Sequence, residues 1–218
     1  MQITKEKLRE WLADESKYER LLDHYPNGAP VQRVLDTLCD AGLFDDAEWI
    51  LDQAGPIDDI VEVASVAERT HVVIARRLVV TGSIIVKGRL RVGGSIEARG
   101  SIEAEESIQA GRFIEAGEFI EAGESVDAGG SIQAGRFIEA GEFIQAGESV
   151  DAGGSIQAGG SIEAGESIQA GGSIEAGFNF TLVLIAHWKS PLLASCFHRC
   201  KAARRVAATR RTRSDFTP

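Results

Sequence analysis

From Val72 to Ile174 a branched aliphatic residue returns at every sixth position, eighteen times without a slip. Two positions after each stands a second small apolar residue. It is Ile74, Val80, Val86 and Val92 in the first four units, then alanine from Ala98 to Ala176. A separation of two places both side chains on one face of a strand and turns the residue between them outward. A six-residue period drifts around a 3.6-residue helical turn, and the frequent glycines would cost a helix roughly 1 kcal/mol each. The pattern therefore predicts a mostly β fold, a single-stranded β-helix (β-solenoid) of short strands joined by glycine-rich corners. Three units per coil make a triangular prism, so the eighteen units predict six coils, about 29 Å tall at ~4.8 Å per coil. The interior line narrows from Val/Ile pairs to Ile/Ala pairs. Residues 57–94 are expected to form bulkier first coils and 95–177 the regular rod.

Residues 1–56 follow a helical period. Leu8, Trp11, Leu12, Tyr18, Leu21 and Leu22 fall mostly three or four apart, and Thr4 is placed to cap. Asn27-Gly28 closes that segment and Pro30 suits the first turn of the next, whose stripe is Val31, Val34, Leu35 and Leu38. A third stripe uses Phe44, Ala47, Trp49, Ile50 and Leu51 and stops at Gly55-Pro56. The phrase AGLFDDAEWIL resembles a helical-hairpin repeat of the tetratricopeptide kind, which implies a peptide-binding groove. The stripes themselves predict a small α-helical module that docks on the first coil and covers its open edge.

Inside the rod one paragraph is written twice. SIQAGRFIEAGEFIEAGESVDAGG runs from Ser107 to Gly130 and returns from Ser131 to Gly154 with Glu121 replaced by Gln145. Phe113, Phe119, Phe137 and Phe143 stand just before a core aliphatic, so alternation points them outward as candidate contact aromatics. Phe119 and Phe137 lie one coil apart and are expected to stack. The block holds four units against three per coil, so each copy lands one face further round. A site built on one face would not survive such copying, and the duplication points to a scaffold.

The charge of -10 is unevenly spread. Residues 1–60 carry 14 acids against 6 bases and 95–177 carry 16 against 3, whereas 61–94 carry 2 against 6 and 178–218 carry 1 against 8. A three-unit coil stacks Glu103, Glu121 and Glu139 on one face and Glu106, Glu124 and Glu142 at the adjoining corner. Such ladders suit water, cations or a basic protein partner, and would also serve a nucleic-acid mimic.

Glycine-punctuated I-x-A units such as GSIEAGESIQAGGSIEAG resemble those of bacterial β-solenoid proteins, nearest to the bactofilin-type polymer-forming proteins. The resemblance covers about 72–176 and implies a structural rod capable of self-association. The period is also similar to that of hexapeptide-repeat acyltransferases, whose small residue sits elsewhere in the unit. Pentapeptide-repeat proteins share the acidic rod but not the period.

Catalytic candidates are not found in the rod. Residues 95–177 contain no histidine, cysteine, lysine, tyrosine or tryptophan, and His24, His71, His187 and His198 all lie outside. No general base is placed for acyl transfer, and the glycine spacing follows the hexad rather than a nucleotide-binding turn. The expectation is a non-enzymatic chain with no cofactor, no metal and no small-molecule substrate. The segment 178–218 is basic and lacks glycine. It could close the last coil, bind nucleic acid through Arg204, Arg205, Arg210, Arg211 and Arg213, or represent a shifted reading frame. Cys196, His198 and Cys200 supply only three zinc ligands at cramped spacing. No secretory signal opens the chain, the longest apolar run is far below the ~20 residues of a membrane helix, and three cysteines do not read as a disulfide framework. A cytoplasmic location is the expectation.

Overall fold

The computed structural model describes residues 2–11, 25, 27–177 and 179–182. Its rod is a parallel β-solenoid whose three faces are each a seven-stranded sheet. The first face begins with Ile60–Val63 and Arg77–Val80, the second with Val66–Arg69 and Ile84–Val86, the third with Val72–Ile74 and Leu90–Val92. From there each face gains one strand per coil: Ile102 pairs with Ile120 and Ile120 with Ile138, all in parallel register. Burial alternates as the hexad requires. Every core isoleucine from Ile84 to Ile162 is fully enclosed and the alanines two positions on are buried, while Glu115, Glu121 and Gln133 between them are exposed. Truncating one such residue, for example Ile120→Ala, would remove a transfer term and leave a cavity in a column that has no other filler.

The stack is longer than the unbroken hexad at both ends. Ile60–Val63 lies under Arg77–Val80 with Val61 below Leu78, one position short of the regular spacing, and the pairing of Val66–Arg69 slips between Val66 and Arg69. These irregular steps hide the first two strands from a count in sixes. At the other end the composition predicts a stop at Phe178, yet Asn179–Leu182 pairs with Ser161–Ala164. Phe180 and Leu182 there take the register positions above Ile162 and Ala164, so the rod ends later than its glycine composition. The readings made for 183–218, including the basic arginines and the Cys196, His198 and Cys200 group, lie outside the described residues.

Glycine at the corners has a steric cause. A Cβ on Gly141 would fall into the carbonyl oxygen of Gly123 directly beneath it, and the same holds for Gly123 over Glu105. The corners nest because these positions carry no side chain.

Among the described residues the helical region has α1 (Lys5–Trp11), α2 (Val31–Asp40) and α3 (Phe44–Ala54), with Gln2–Ile3 pairing antiparallel to Ala29–Pro30. Leu12, Tyr18, Leu21 and Leu22 of the first predicted stripe lie outside the described residues. The second and third stripes form a separate core of Val34, Leu35, Leu38, Ala47, Ile50 and Leu51. That core also takes in Val73, whose side chain points away from the rod and is only 2% exposed. The module therefore packs on the third face at its first strand and covers that strand's edge. Beneath Leu78 and Ile84, where the helices were also expected to cover the first coil, lie the strands Ile60–Val63 and Val66–Arg69 instead.

Gln32 does so chemically. Its side-chain amide donates through Nε2 to the Val73 carbonyl at 2.8 Å and accepts from the Ala75 N–H through Oε1 at 3.0 Å. One side chain thus replaces the peptide group of an absent neighbouring strand. The Val73 N–H also reaches Cys39, whose thiol burial pushes up to about 11, an effect that hydrogen bond offsets only in part.

Replacing Gln32 with Ala would leave a buried carbonyl and a buried N–H unpaired, costing about 2–4 kcal/mol. The expected outcome is a lower chemical-unfolding midpoint together with faster alkylation of Cys39, followed peptide by peptide at pH 8. An unchanged midpoint and an unchanged Cys39 rate would show that the edge is closed in some other way.

Candidate functional site: acidic ladders and corner aromatics

The two glutamate ladders arise from coil-on-coil register. Glu103 pairs with Glu121 and Glu121 with Glu139 on the outer side of the second face. Glu121 and Glu139 are exposed, whereas Glu103 stands above Ile85 and is partly covered. At the corner between the second and third faces the Glu124 N–H donates to the Glu106 carbonyl at 2.9 Å and the Glu142 N–H to the Glu124 carbonyl at 2.6 Å. All six predicted acids therefore fall in their expected columns.

The corner ladder is neutralised at its base. Arg89 lies 3.3 Å from Glu106 and also meets Asp45 at 2.9 Å and Glu48 at 3.3 Å, with its guanidinium 4.3 Å from the centre of the Phe44 ring. Burial raises the Glu48 carboxyl above its ordinary range, and Arg89 opposes that shift. Arg91–Asp52 at 2.7 Å and Arg112–Asp58 at 3.0 Å continue the contact between the rod and residues 45–58. Most of these groups are at least partly exposed, so each pair adds little and the row acts through its number. Sequence reasoning missed Arg89 and Gln32 as individuals. The signal for Arg89 was the excess of bases over 61–94 beside the acidic 1–60. No comparable signal marks Gln32, because its partners are backbone atoms. A serine hydroxyl braces the corner ladder from the coil below, Ser107 donating to Glu124 at 2.9 Å, and Ser131 donates in the same way to Glu148, outside the two ladders, at 3.0 Å.

The four phenylalanines meet different fates. Phe119 and Phe137 stack with centroids 4.7 Å apart and an interplanar angle of 4°. Phe113 lies 5.9 Å from the Arg77 guanidinium. Phe143 sits over Ser125 and is 40% exposed, among the most exposed large apolar residues described.

Two shallow cavities open beside these aromatics. One, of about 440 Å³, is lined by Gly111, Arg112, Phe113, Gly129, Gly130 and Ser131 together with Ile114, Glu115, Gln133 and Glu148. The other, of about 410 Å³, is lined by Gly135, Arg136, Phe137, Gly153, Gly154 and Ser155. Each of these last six stands four units after one of the first six. The duplication therefore does copy one local feature, a corner cavity. A face is not copied onto itself. A corner notch built from residues one coil apart, however, fits within the block and its first following serine, and moves with it to the next corner.

A parallel three-faced β-solenoid with a docked helical module is the class that this architecture defines. The helical part has a counterpart: the family model described as the YdhT N-terminal domain matches residues 1–54. No curated protein and no solved structure matches the chain. Among the described residues no helix is long and apolar enough to cross a membrane.

Stacked Phe119 and Phe137 are expected to be coupled. Serine fills the same column at Ser101 and Ser155, so Phe119→Ser and Phe137→Ser should both fold. A double-mutant cycle on unfolding free energy should return about 0.5–1.5 kcal/mol of interaction; strict additivity would rule the contact out.

Proposed function

We propose that this protein is a non-enzymatic structural scaffold, a short β-solenoid rod that associates with further copies through its C-terminal end. The carrying observation is that a helical module caps one sheet edge of an otherwise regular parallel stack, at the N-terminal strand of the third face. At the N-terminal end Gln32 and Cys39 occupy the edge groups of Val73 and Ala75. Val61, Val63 and Val66 on the first strands of the other two faces are only partly buried, and so are Ile168, Ala170, Ile174 and Ala176 toward the other end, against full enclosure of the corresponding aliphatics in the inner coils. An uncapped parallel edge can template another strand, and a module that closes one of the three edges at the N-terminal end disfavours growth there and favours two-fold pairing through the other end. The resemblance of the repeats to bactofilin-type polymer-forming proteins supports the same reading, with the helical module as the element that limits growth.

Electron microscopy and sedimentation of the full chain test this. The wild type is expected as pairs joined end to end, and Gln32→Ala combined with Arg89→Glu, which loosens the module, as longer single-width filaments. Strict monomers at high concentration for both proteins would sink the reading.

A second reading is favoured by the in-register stacking of Glu103, Glu121 and Glu139. On it, the second face is an acidic surface for a basic protein, or a mimic of nucleic acid. Three carboxylates roughly 5 Å apart along the rod reinforce one another's field toward a cationic partner. An oligolysine peptide should bind at low salt and lose at least about tenfold in affinity when all three are changed to Gln; equal binding by the triple variant would eliminate it.

A further inference from the structure

The two copies of the duplicated block place chemically unlike features on neighbouring corners of one rod. Phe143 is the copy of Phe119, four units on. Phe119 lies beneath Phe137 and is stacked against it, but its copy lands on the next corner, where Ser125 lies below and Ser161 follows one coil above. The result is an exposed aromatic ring with exposed Glu142 beside it, a knob of one ring and one negative charge.

The corner on the other side of the strand Ile138–Ala140 carries the complement. In the notch of Arg136, Phe137, Gly153, Gly154 and Ser155, the column above Phe137 continues with a serine, so the aromatic stack stops at two rings. The glycines at 153 and 154 leave the floor open, and Arg136 is the one charged residue of the lining, with no ion pair among the described residues. The sister notch differs in the respect that matters. There Arg112 is already bound to Asp58, and Glu115 and Glu148 belong to the lining, so a carboxylate would be repelled.

We infer that the Glu142–Phe143 corner of one copy docks into the Arg136–Phe137 notch of a second copy. The incoming ring extends the Phe119–Phe137 stack by one member, and the incoming carboxylate meets Arg136. Offset rings with centroids about 4.5–7 Å apart favour the first contact, and the charge-assisted bonding of a carboxylate to a guanidinium favours the second. A two-fold arrangement would press the second faces together with Glu121 and Glu139 opposed, and like charges resist that. The contact therefore passes from copy to copy in one direction and broadens the assembly sideways. This lateral contact goes beyond the end joint proposed above and does not depend on it.

Sedimentation velocity over a concentration series, with electron microscopy for particle width, tests it on the full chain. The wild type is expected to show concentration-dependent widening. Phe143→Ser and Arg136→Glu should each weaken that association at least about tenfold. Serine already stands at 125 and glutamate at 118 in the same columns, so both variants should keep the wild-type melting transition. The exchange Arg136→Glu with Glu142→Arg restores the charge pair and should recover association to within about threefold of wild type. Widening that persists in Phe143→Ser, or a charge exchange that stays as weak as Arg136→Glu alone, overturns the inference, as does a wild type that never widens. Particles that double in length without widening overturn the lateral contact and leave the end joint standing, and the reverse pattern does the opposite.

Discussion

Throughout the regular coils each residue sits one strand spacing above its counterpart three units earlier, and the rest of the rod depends on that registry. The core is a consequence, because an aliphatic at every sixth position becomes three continuous columns of enclosed side chains. The corners are another. Successive turns nest so closely that a Cβ at Gly141 has no room over the Gly123 carbonyl. The same registry turns chemistry into ladders: a carboxylate repeated at 103, 121 and 139 becomes a charged stripe, and phenylalanine at 119 and 137 becomes a stack. Registry does not distinguish favourable neighbours from unfavourable ones, and the hydrogen bond from Ser107 to Glu124 partly offsets the charge it concentrates at the corner.

A registry of this kind propagates without limit unless something ends it. The first strand of the third face shows how an end is made. Its outward N–H and C=O groups would template another strand. Gln32 presents an amide to them from a helix, which has no further edge to offer, and Val73 turns its side chain into the helical core. The row of Arg89, Arg91 and Arg112 against Asp45, Glu48, Asp52 and Asp58 holds the module along the flank. Hydrogen bonding closes the edge, apolar burial supplies most of the adhesion, and the exposed ion pairs fix the orientation.

What could be read in the sequence follows from the same physics. Columns were legible because one integer sets them: the Glu103 and Glu106 ladders and the Phe119–Phe137 stack needed only the coil length. The helical stripes at 31–38 and 44–51 were legible from their period. The first strands were not, because Val61 falls one position short of a full coil below Leu78 and the pairing slips after Val66, so no single period includes them. Asn179–Leu182 escaped because composition changes at Phe178 while backbone register does not. Gln32 was invisible for a deeper reason: a side chain that bonds to backbone atoms leaves no partner pattern in the sequence.

The duplication shows how length and registry together make new surface. A block of three units would have placed each copy above its original and lengthened existing columns. A block of four units advances every residue by one coil and one corner, so the core is preserved while each corner residue acquires different neighbours. Phe119 gained Phe137 as a stacking partner; its copy Phe143 gained serine and solvent. Arg112 faces Asp58, whereas its copy Arg136 stands on a corner out of reach of that loop. One repeated sequence thereby yields a notch whose arginine is paired and a notch whose arginine, among the described residues, is not, and a mismatch of a single unit between block and coil is sufficient cause.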